Sequence, residues 1–255
     1  MSPLLCIAAA QSISAPGEVQ ANVQGHLSMV HEAARHGVQL LVFPELSLTG
    51  YEPALVAGLV LDAEDAVLAP LRAAARATGM ALVVGAPVAP VVAGDRPAIG
   101  AWVFEADGSA ALYRKRHLHP GEEQFASAGS EHFHVRPLAG QPTALAVCAD
   151  TTHPEHALAA RDGGAAIYAC GSVISEGGYA KDCGQLQGYA SELGLAVLMA
   201  NHGAPTGGYV CAGRSAFWAP GGEAVVAAPG AGACLVIASR EGGAWQGRVV
   251  DVVAQ

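Results

Sequence analysis

The feature that most constrains the fold of this sequence is an alternation of short apolar runs with segments of helical periodicity. The apolar runs cover residues 4–8, 40–43, 81–84, 144–147 and 196–199. Continuous runs of this length suit strands that are covered on both faces. Apolar residues recur at helical spacing over about residues 19–36, 63–78, 154–162 and 181–193. The alternation predicts an α/β protein.

The length of 255 residues is enough for a substantial core, and α/β chains of this size commonly form one domain. Gly and Pro clusters mark the junctions between elements, but none is long enough to be an interdomain linker. Residues 215–226 predict two strands around a Pro-Gly turn, so that β-sheet continues toward the C-terminal end. We therefore predict a single domain over residues 1–255.

The charge balance argues against two classes of partner. The formal net charge is −9 and charged residues make up 14% of the chain, so no basic stripe is present for nucleic-acid phosphates or an anionic membrane surface. Residues 1–11 carry no Lys or Arg before a short apolar run, which favours a first strand over a secretory signal. No stretch is long enough to span a bilayer. We expect no nucleic-acid and no membrane partner.

The six cysteines show neither CxxC pairs nor the dense spacing of a disulfide scaffold. This usage favours a reducing compartment, and we predict a cytoplasmic protein. Cys6, Cys170 and Cys234 lie among aliphatic residues, where cysteine behaves as a small core hydrophobe.

A carboxylate, Glu45, directly follows the apolar run that ends at Phe43 and Pro44. Open α/β sheets usually bind ligands at the carboxyl ends of their strands. Glu45 is therefore a candidate general base. The alternative is that Pro-Glu at this point only begins a turn or a helix.

Cys148 follows the run that ends at Val147 and precedes a segment that leads to Pro154. This pattern predicts a strand, a sharp turn and a helix that begins near Pro154, as in a nucleophile elbow. A thiolate beside backbone N–H groups or a cation is a good nucleophile, whereas a thiol buried among aliphatic residues is inert. The local pattern alone leaves both possibilities open.

Three consecutive cations, residues 114–116, lie between apolar residues in a chain that has only 13 Lys and Arg. An extended segment here would place Tyr113, Lys115 and His117 on one face. The alternative is a solvated basic edge strand, but the scarcity of cations favours a positioned Lys115.

Four histidines are candidate metal ligands. His117 and His119 form one pair, and His153 and His156 form another near Cys148. Neither pair has a third ligand at a useful spacing in the sequence. We expect no metal and no cofactor.

Together these segments resemble the carbon-nitrogen hydrolase, or nitrilase, superfamily. Residues 42–51 resemble its first motif, residues 113–118 its second and residues 148–155 its third. Order, spacing and position at strand ends all agree. Glu122 resembles a second glutamate that many members keep near the lysine, although Glu123 competes for this role and Ala126 stands where an aromatic residue is commoner. Weaker matches to the closing motifs are Asn201 with Gly203 and Gly213 with Ser215.

The resemblance implies a four-layer α-β-β-α sandwich of the nitrilase type, usually assembled as a homodimer or higher homo-oligomer. It also implies a catalytic triad of Glu45, Lys115 and Cys148. In this interpretation Cys148 attacks a carbonyl carbon, Glu45 moves the proton, and Lys115 stabilises the oxyanion together with the backbone N–H of Ala149. Glu122 would orient Lys115 or a substrate amine.

The surroundings of Cys148 resemble amidases more than true nitrilases, in which Trp and Glu commonly follow the cysteine. We therefore predict hydrolysis of a small-molecule amide through a cysteine thioester, with release of ammonia or an amine. Hydrolysis of N-carbamoyl amines or of nitriles by the same triad, acyl transfer, and the glutaminase half of a synthetase remain alternatives. So does a non-catalytic scaffold of the same fold.

Four further residues are assigned to the substrate pocket by their position. Tyr51 closes the first motif, and its alternative role is a core aromatic with a bonded hydroxyl. Ser172, Val173 and Tyr179 follow the apparent strand at residues 165–169 and lie in a candidate specificity loop. Asp150, two residues after Cys148, is predicted to accept backbone N–H bonds at the turn rather than to touch substrate.

Overall fold

Two mixed β-sheets face each other, and helices cover the outer face of each sheet. The computed structural model describes residues 4–129 and 135–252. The strands are β1 Leu5–Gln11, β2 Leu40–Val42, β3 Ala81–Val88, β4 Ala98–Phe104, β5 Ala110–Arg114, β6 Val135–Leu138, β7 Gln141–Val147, β8 Ile167–Ser172, β9 Ala196–Asn201, β10 Ala216–Trp218, β11 Ala224–Ala227, β12 Cys234–Glu241 and β13 Ala244–Asp251. The α-helices are α1 Val19–Arg35, α2 Ala69–Thr78, α3 Pro154–Asp162 and α4 Tyr179–Leu193.

One sheet has the strand order β13-β12-β1-β2-β3-β4-β5, and the other has the order β11-β10-β9-β8-β7-β6. Strands β1, β2 and β3 are parallel to one another, as are β7, β8 and β9. The loops after neighbouring parallel strands leave the sheet at one edge. The segments that follow β7, β8 and β9 therefore lie side by side.

The apolar runs are continuous because both faces of each sheet are covered. In β1, Leu5, Ile7 and Ala9 pack between the two sheets, whereas Cys6 and Ala8 pack under helices α1 and α2. A third cluster lies between the second sheet and helices α3 and α4. The predicted four-layer α-β-β-α sandwich is confirmed.

The helix predicted over residues 63–78 is shorter in the structure. Residues Ala66–Leu68 form a 3-10 turn, and α2 begins at Ala69. Pro70 has no N–H and is tolerated only in the first turn of a helix, so the helix starts beside it. At the other end Gly79 closes the helix with φ 69°, a conformation that glycine adopts without strain.

All six cysteines are free thiols, and five of them are buried. The exception is Cys148, which is partly exposed. Within the described ranges, no helix combines the length and the apolar character needed to cross a membrane.

Candidate active site

Three charged side chains from different parts of the chain meet in one buried cluster. Glu45 follows β2, Lys115 follows β5, and Glu122 begins a short 3-10 turn. The Nζ of Lys115 donates to Oε1 of Glu45 at 2.6 Å and to Oε1 of Glu122 at 2.7 Å. Lys115 is 0% exposed. A buried ammonium needs such partners because the desolvation of an unpaired charge is prohibitive.

The cluster holds Lys115 in its charged form. Burial alone would lower the pKa of its ammonium, but the negative charges of Glu45 and Glu122 outweigh burial and raise the pKa well above its usual range. The two carboxylates occupy two of the three ammonium N–H groups. One N–H remains for a further acceptor.

The carboxyl of Glu45 has a pKa near neutral pH, so both its charged and its neutral form are accessible. Burial raises its pKa, Lys115 lowers it, and the nearby carboxylate of Glu122 raises it again, with the result at about 7. Its Oε1 accepts from Lys115, whereas Oε2 is buried without a hydrogen-bonding partner among the described residues. The thiol of Cys148 is close enough to affect the same pKa. Oε2 is thus the oxygen that is free to accept a proton.

Cys148 occupies a sharp turn between β7 and α3. Its backbone has φ 43°, a strained value for a residue with a Cβ. Residues Cys148–Thr152 form a 3-10 turn, and Cys148 lines the cavity described below. The thiol contacts the carbonyl oxygen of Val173 at 3.7 Å. Burial and the charge of Glu45 raise its pKa well above the usual value, although Lys115 opposes this. The side chain of Cys148 is therefore a neutral thiol, which needs a base before it can act as a nucleophile.

Asp150 accepts backbone N–H bonds at the turn that carries Cys148, as the sequence pattern predicted. Its carboxylate accepts backbone N–H bonds from Val147, Arg116 and His117 at 2.8 to 3.0 Å, and the hydroxyl of Tyr113 donates to it at 2.6 Å. Burial alone would raise its pKa, but hydrogen bonding to the His117 ring and the nearby His156, with the bonds from Tyr113 and Val147, outweigh burial and lower it. A single carboxylate thus joins the segment after Lys115 to the segment that carries Cys148.

The structure places Glu122, not Glu123, beside Lys115. Oε1 of Glu122 also accepts from the hydroxyl of Tyr51 at 2.7 Å, and its Oε2 accepts from the backbone N–H of His119. Glu123 is exposed, and among residues 4–129 and 135–252 it accepts only from the backbone N–H of Gly121. Hydrogen bonds to both carboxylate oxygens therefore fix the side chain of Glu122.

An open cavity of about 420 Å³ lies over this cluster. Of the predicted residues, Glu45, Tyr51, Glu122, Cys148, Ala149, Ser172 and Val173 line it. It is also lined by His119, Pro120, Thr151, Thr152, Ile174, Ser175, Gly178, Lys181, Asp182 and Tyr209. Tyr179 is not among the lining residues; its hydroxyl donates to the carbonyl oxygen of Arg214 at 2.8 Å. Lys115 is not among the lining residues, but its Nζ is hydrogen-bonded to Glu45 and Glu122, which are.

Sequence reasoning missed two glycines that position Glu45. A Cβ on Gly85 of β3 would collide with Pro44 O and Leu46 N, and a Cβ on Gly171 of β8 would lie 2.5 Å from Phe43 O. Only glycine permits this approach of two backbones. The turn that carries Glu45 is therefore packed closely between β3 of one sheet and β8 of the other. Within a strand, an interior glycine is the only sequence signal of such an approach.

Two further polar residues hold the loops around the cavity. The Nε2–H of His202 donates to the backbone carbonyl of Glu45 at 2.7 Å, and burial lowers the pKa of His202 to about 4, so the ring is neutral. The side chain of Asn201 bonds both backbone groups of Ile174 at 2.8 and 2.9 Å. Both residues come at the end of β9, the same signal that identified Glu45.

Replacing Gly171 with alanine tests whether this close packing positions the carboxylate of Glu45. We expect kcat to fall by about 10²-fold, because a shift of the Glu45 turn by about 1 Å misplaces its carboxylate. The overpacking should also lower the free energy of unfolding by about 1–3 kcal/mol. Gly184→Ala is the matched control, since a Cβ there meets nothing within 4 Å in an exposed part of α4. Wild-type kcat in Gly171→Ala would refute the positioning role.

The pKa of Glu45 predicts the pH dependence of the rate. A general base works in its deprotonated form, so log(kcat/KM) should fall as the pH drops through about 7. Because the carboxylate of Glu122 raises the pKa of Glu45, Glu122→Gln should move this acid limb to lower pH. Steady-state profiles of both proteins from pH 5 to pH 9, spanning roughly two units on each side, provide the measurement. An unmoved limb would show that the charge of Glu122 does not raise the pKa of Glu45.

Comparison with known proteins gives the family of this chain. The model of the family described as carbon-nitrogen hydrolase matches residues 6–244. Among solved structures, a glutamate-to-glutamine variant of the amidase from Nesterenkonia sp. AN1, with the acetamide moiety of fluoroacetamide added covalently at the active-site cysteine, is 29% identical with a TM-score of 0.82. That match covers 91% of this chain and 89% of the amidase chain.

Two other structures of the same amidase also match. A cysteine-to-alanine variant in complex with butyramide is 29% identical with a TM-score of 0.82, and the match covers 91% of this chain and 89% of that one. A variant with both the glutamate and the cysteine replaced, in complex with acrylamide, is 28% identical with a TM-score of 0.84 over 95% of this chain and 94% of that one.

The sandwich fold and the match over most of its length define the class of this protein: it belongs to the carbon-nitrogen hydrolase family. It is a hydrolase that acts on carbon-nitrogen bonds other than peptide bonds. Its solved neighbours are amidases of the nitrilase superfamily.

Proposed function

We propose that this chain hydrolyses small aliphatic amides through a thioester on Cys148. The observation that carries the proposal is the arrangement around the cavity: a neutral thiol, a carboxylate with a pKa of about 7 and an unpaired oxygen, and an ammonium behind it. These are the nucleophile, the base and the positive charge that amide hydrolysis requires.

Acylation begins when a substrate carbonyl binds over Cys148. The sulfur attacks the carbonyl carbon while Oε2 of Glu45 takes the thiol proton. The oxyanion is stabilised by the backbone N–H of Ala149 and the remaining N–H of Lys115. The carbon-nitrogen bond then breaks, and Glu45 returns the proton to the nitrogen, which leaves as ammonia or an amine.

Deacylation uses the same base. Glu45, again ionised, takes a proton from water as the water oxygen attacks the thioester carbon. The carbon-sulfur bond breaks, the sulfur takes the proton from Glu45, and the carboxylic acid leaves. Each turnover consumes one water and restores the neutral thiol.

The size of the substrate follows from the cavity and from the neighbours. The Nesterenkonia amidase variants bind butyramide and acrylamide, and one carries an acetamide moiety on its cysteine. The cavity of about 420 Å³ is at the lower end of ligand pockets, which span roughly 300–1,000 Å³. We infer primary amides with short acyl chains as substrates. The predicted homo-oligomer stays a prediction, which light scattering can test.

Ammonia release from a panel of compounds tests this proposal. The panel contains acetamide, propionamide, butyramide, the nitrile of each, and N-carbamoyl amines. We expect turnover of the amides, with kcat/KM at least about tenfold above that of the nitriles, a discrimination of about 1.4 kcal/mol. Preference for the nitriles or the carbamoyl compounds would contradict the amide assignment while leaving Cys148 as the nucleophile.

A further inference from the structure

A second group of chemically reactive side chains lies beside the nucleophile turn. His117, His153 and Glu155 each place one metal-ligating atom within 4.8 Å of those of the other two. His117 comes from the segment after Lys115, whereas His153 and Glu155 lie where the 3-10 turn of Cys148 passes into α3. The sequence offered two histidine pairs without a third ligand, and the fold supplies Glu155 as the third.

Hydrogen bonds fix which nitrogen of each ring is available. The Nδ1 of His117 lies 3.2 Å from Oδ1 of Asp150, and the Nδ1 of His153 lies 2.9 Å from the carbonyl oxygen of Ala149. Both partners are acceptors, so each Nδ1 carries a hydrogen, and in a neutral ring the lone pair is then on Nε2. Metal-binding histidines are typically held in this way, by a carboxylate or a backbone carbonyl on the nitrogen opposite the metal.

We propose that His117 and His153, through Nε2, and the carboxylate of Glu155 form a binding site for a divalent transition metal such as Zn²⁺. Two imidazoles and one carboxylate are an established zinc ligand set, which leaves a fourth position for solvent. The two rings are stacked at 4.0 Å with 14° between their planes. Ligand atoms of a tetrahedral zinc site lie about 3.4 Å apart, so binding tilts the rings out of the stack.

The side chains are free to make this adjustment. His117 and His153 are partly exposed, and Glu155 is exposed, so the carboxylate swings toward the rings without disturbing the core. The site is separate from the catalytic thiol, yet it touches the same turn through Asp150 and the carbonyl of Ala149. A bound metal therefore braces the turn from its outer side.

Titration of the tag-free protein with ZnCl₂, followed by calorimetry and by the thermal midpoint, tests the site. We expect one Zn²⁺ per chain and a rise in Tm on binding. His153→Gln and Glu155→Gln should each weaken the affinity by at least about tenfold. His31→Gln, which removes an exposed histidine on α1, should bind as the wild type does. Cys148→Ala should also retain binding, since its thiol is not a ligand.

The same series contains the results that would overturn the proposal. Zinc that binds equally well to the wild type, His153→Gln and Glu155→Gln lies elsewhere. Zinc that is lost in Cys148→Ala but kept in His153→Gln is held by the catalytic thiol. No measurable binding to the wild type would remove the site altogether. None of these readouts depends on amide turnover, so the proposed function stands or falls independently.

Discussion

Replacing Cys148 with alanine is expected to reduce amide turnover by about 10⁴-fold or more, since removal of the nucleophile of a catalytic triad has effects of this size. Alanine keeps the Cβ and so meets the same backbone strain at φ 43°, which preserves the fold of the turn. The thermal midpoint should therefore change little. The loss of activity should therefore come from the missing thiol and not from a change in the fold.

Intact-protein mass spectrometry provides the measurement. The wild type is mixed with acetamide or butyramide, quenched in acid and weighed while ammonia release is followed in parallel. An acyl adduct that hydroxylamine removes should appear on the wild type and be absent from Cys148→Ala. An acyl adduct on Cys148→Ala with the same substrates, or equal ammonia release from both proteins, would show that Cys148 is not the nucleophile.

Lys115→Met should damage both activity and stability. It leaves Glu45 and Glu122 buried together without a cation, and breaking a buried ion pair from one side costs about 3–5 kcal/mol of the free energy of unfolding. The rate should fall by about 10²–10³-fold through loss of the oxyanion partner. Without the ammonium, which lowers the pKa of Glu45, that pKa rises, so Glu45 binds its proton more tightly in the folded state. The loss of stability should then grow as the pH increases.

A paired variant separates the two effects. In Lys115→Met combined with Glu122→Gln, one buried charge is removed along with its partner, so urea titration should recover part of the lost stability. Activity should not return, because the cation is still missing. Recovery of activity together with stability would mean that Lys115 has only a structural role, and unchanged stability in the single variant would contradict the buried ion-pair cluster.

The sequence predicted those parts of the protein that depend on local pattern. Continuous apolar runs indicated strands covered on both faces, and Pro154 marked the start of α3 at the residue where the structure has it. Glu45 was a candidate because open α/β sheets usually bind ligands at the carboxyl ends of their strands. Cys148 was a candidate because the pattern around it predicts a strand, a sharp turn and a helix. The motif resemblance then gave the layered fold.

Contacts between distant segments were beyond reach. The proximity of Gly171 to Phe43 depends on how two sheets face each other, and no local pattern records that arrangement. The grouping of His117 with His153 and Glu155 depends on the same kind of long-range contact, because the fold brings residue 117 to the segment at 153–155. The pocket assignment of Tyr179 rested on its place in a loop, whereas the residue begins α4 and turns its hydroxyl toward Arg214.

The neutral thiol of Cys148 has a consequence for chemical labelling of this protein. Simple alkylating reagents react with thiolates, and the raised pKa of Cys148 keeps the thiolate scarce at neutral pH. In the proposed mechanism its sulfur attacks a bound electrophile while Glu45 takes the thiol proton. A general cysteine-alkylating reagent should therefore label Cys148 slowly. An electrophile shaped like a short amide should label Cys148 in preference to the other thiols of a cell.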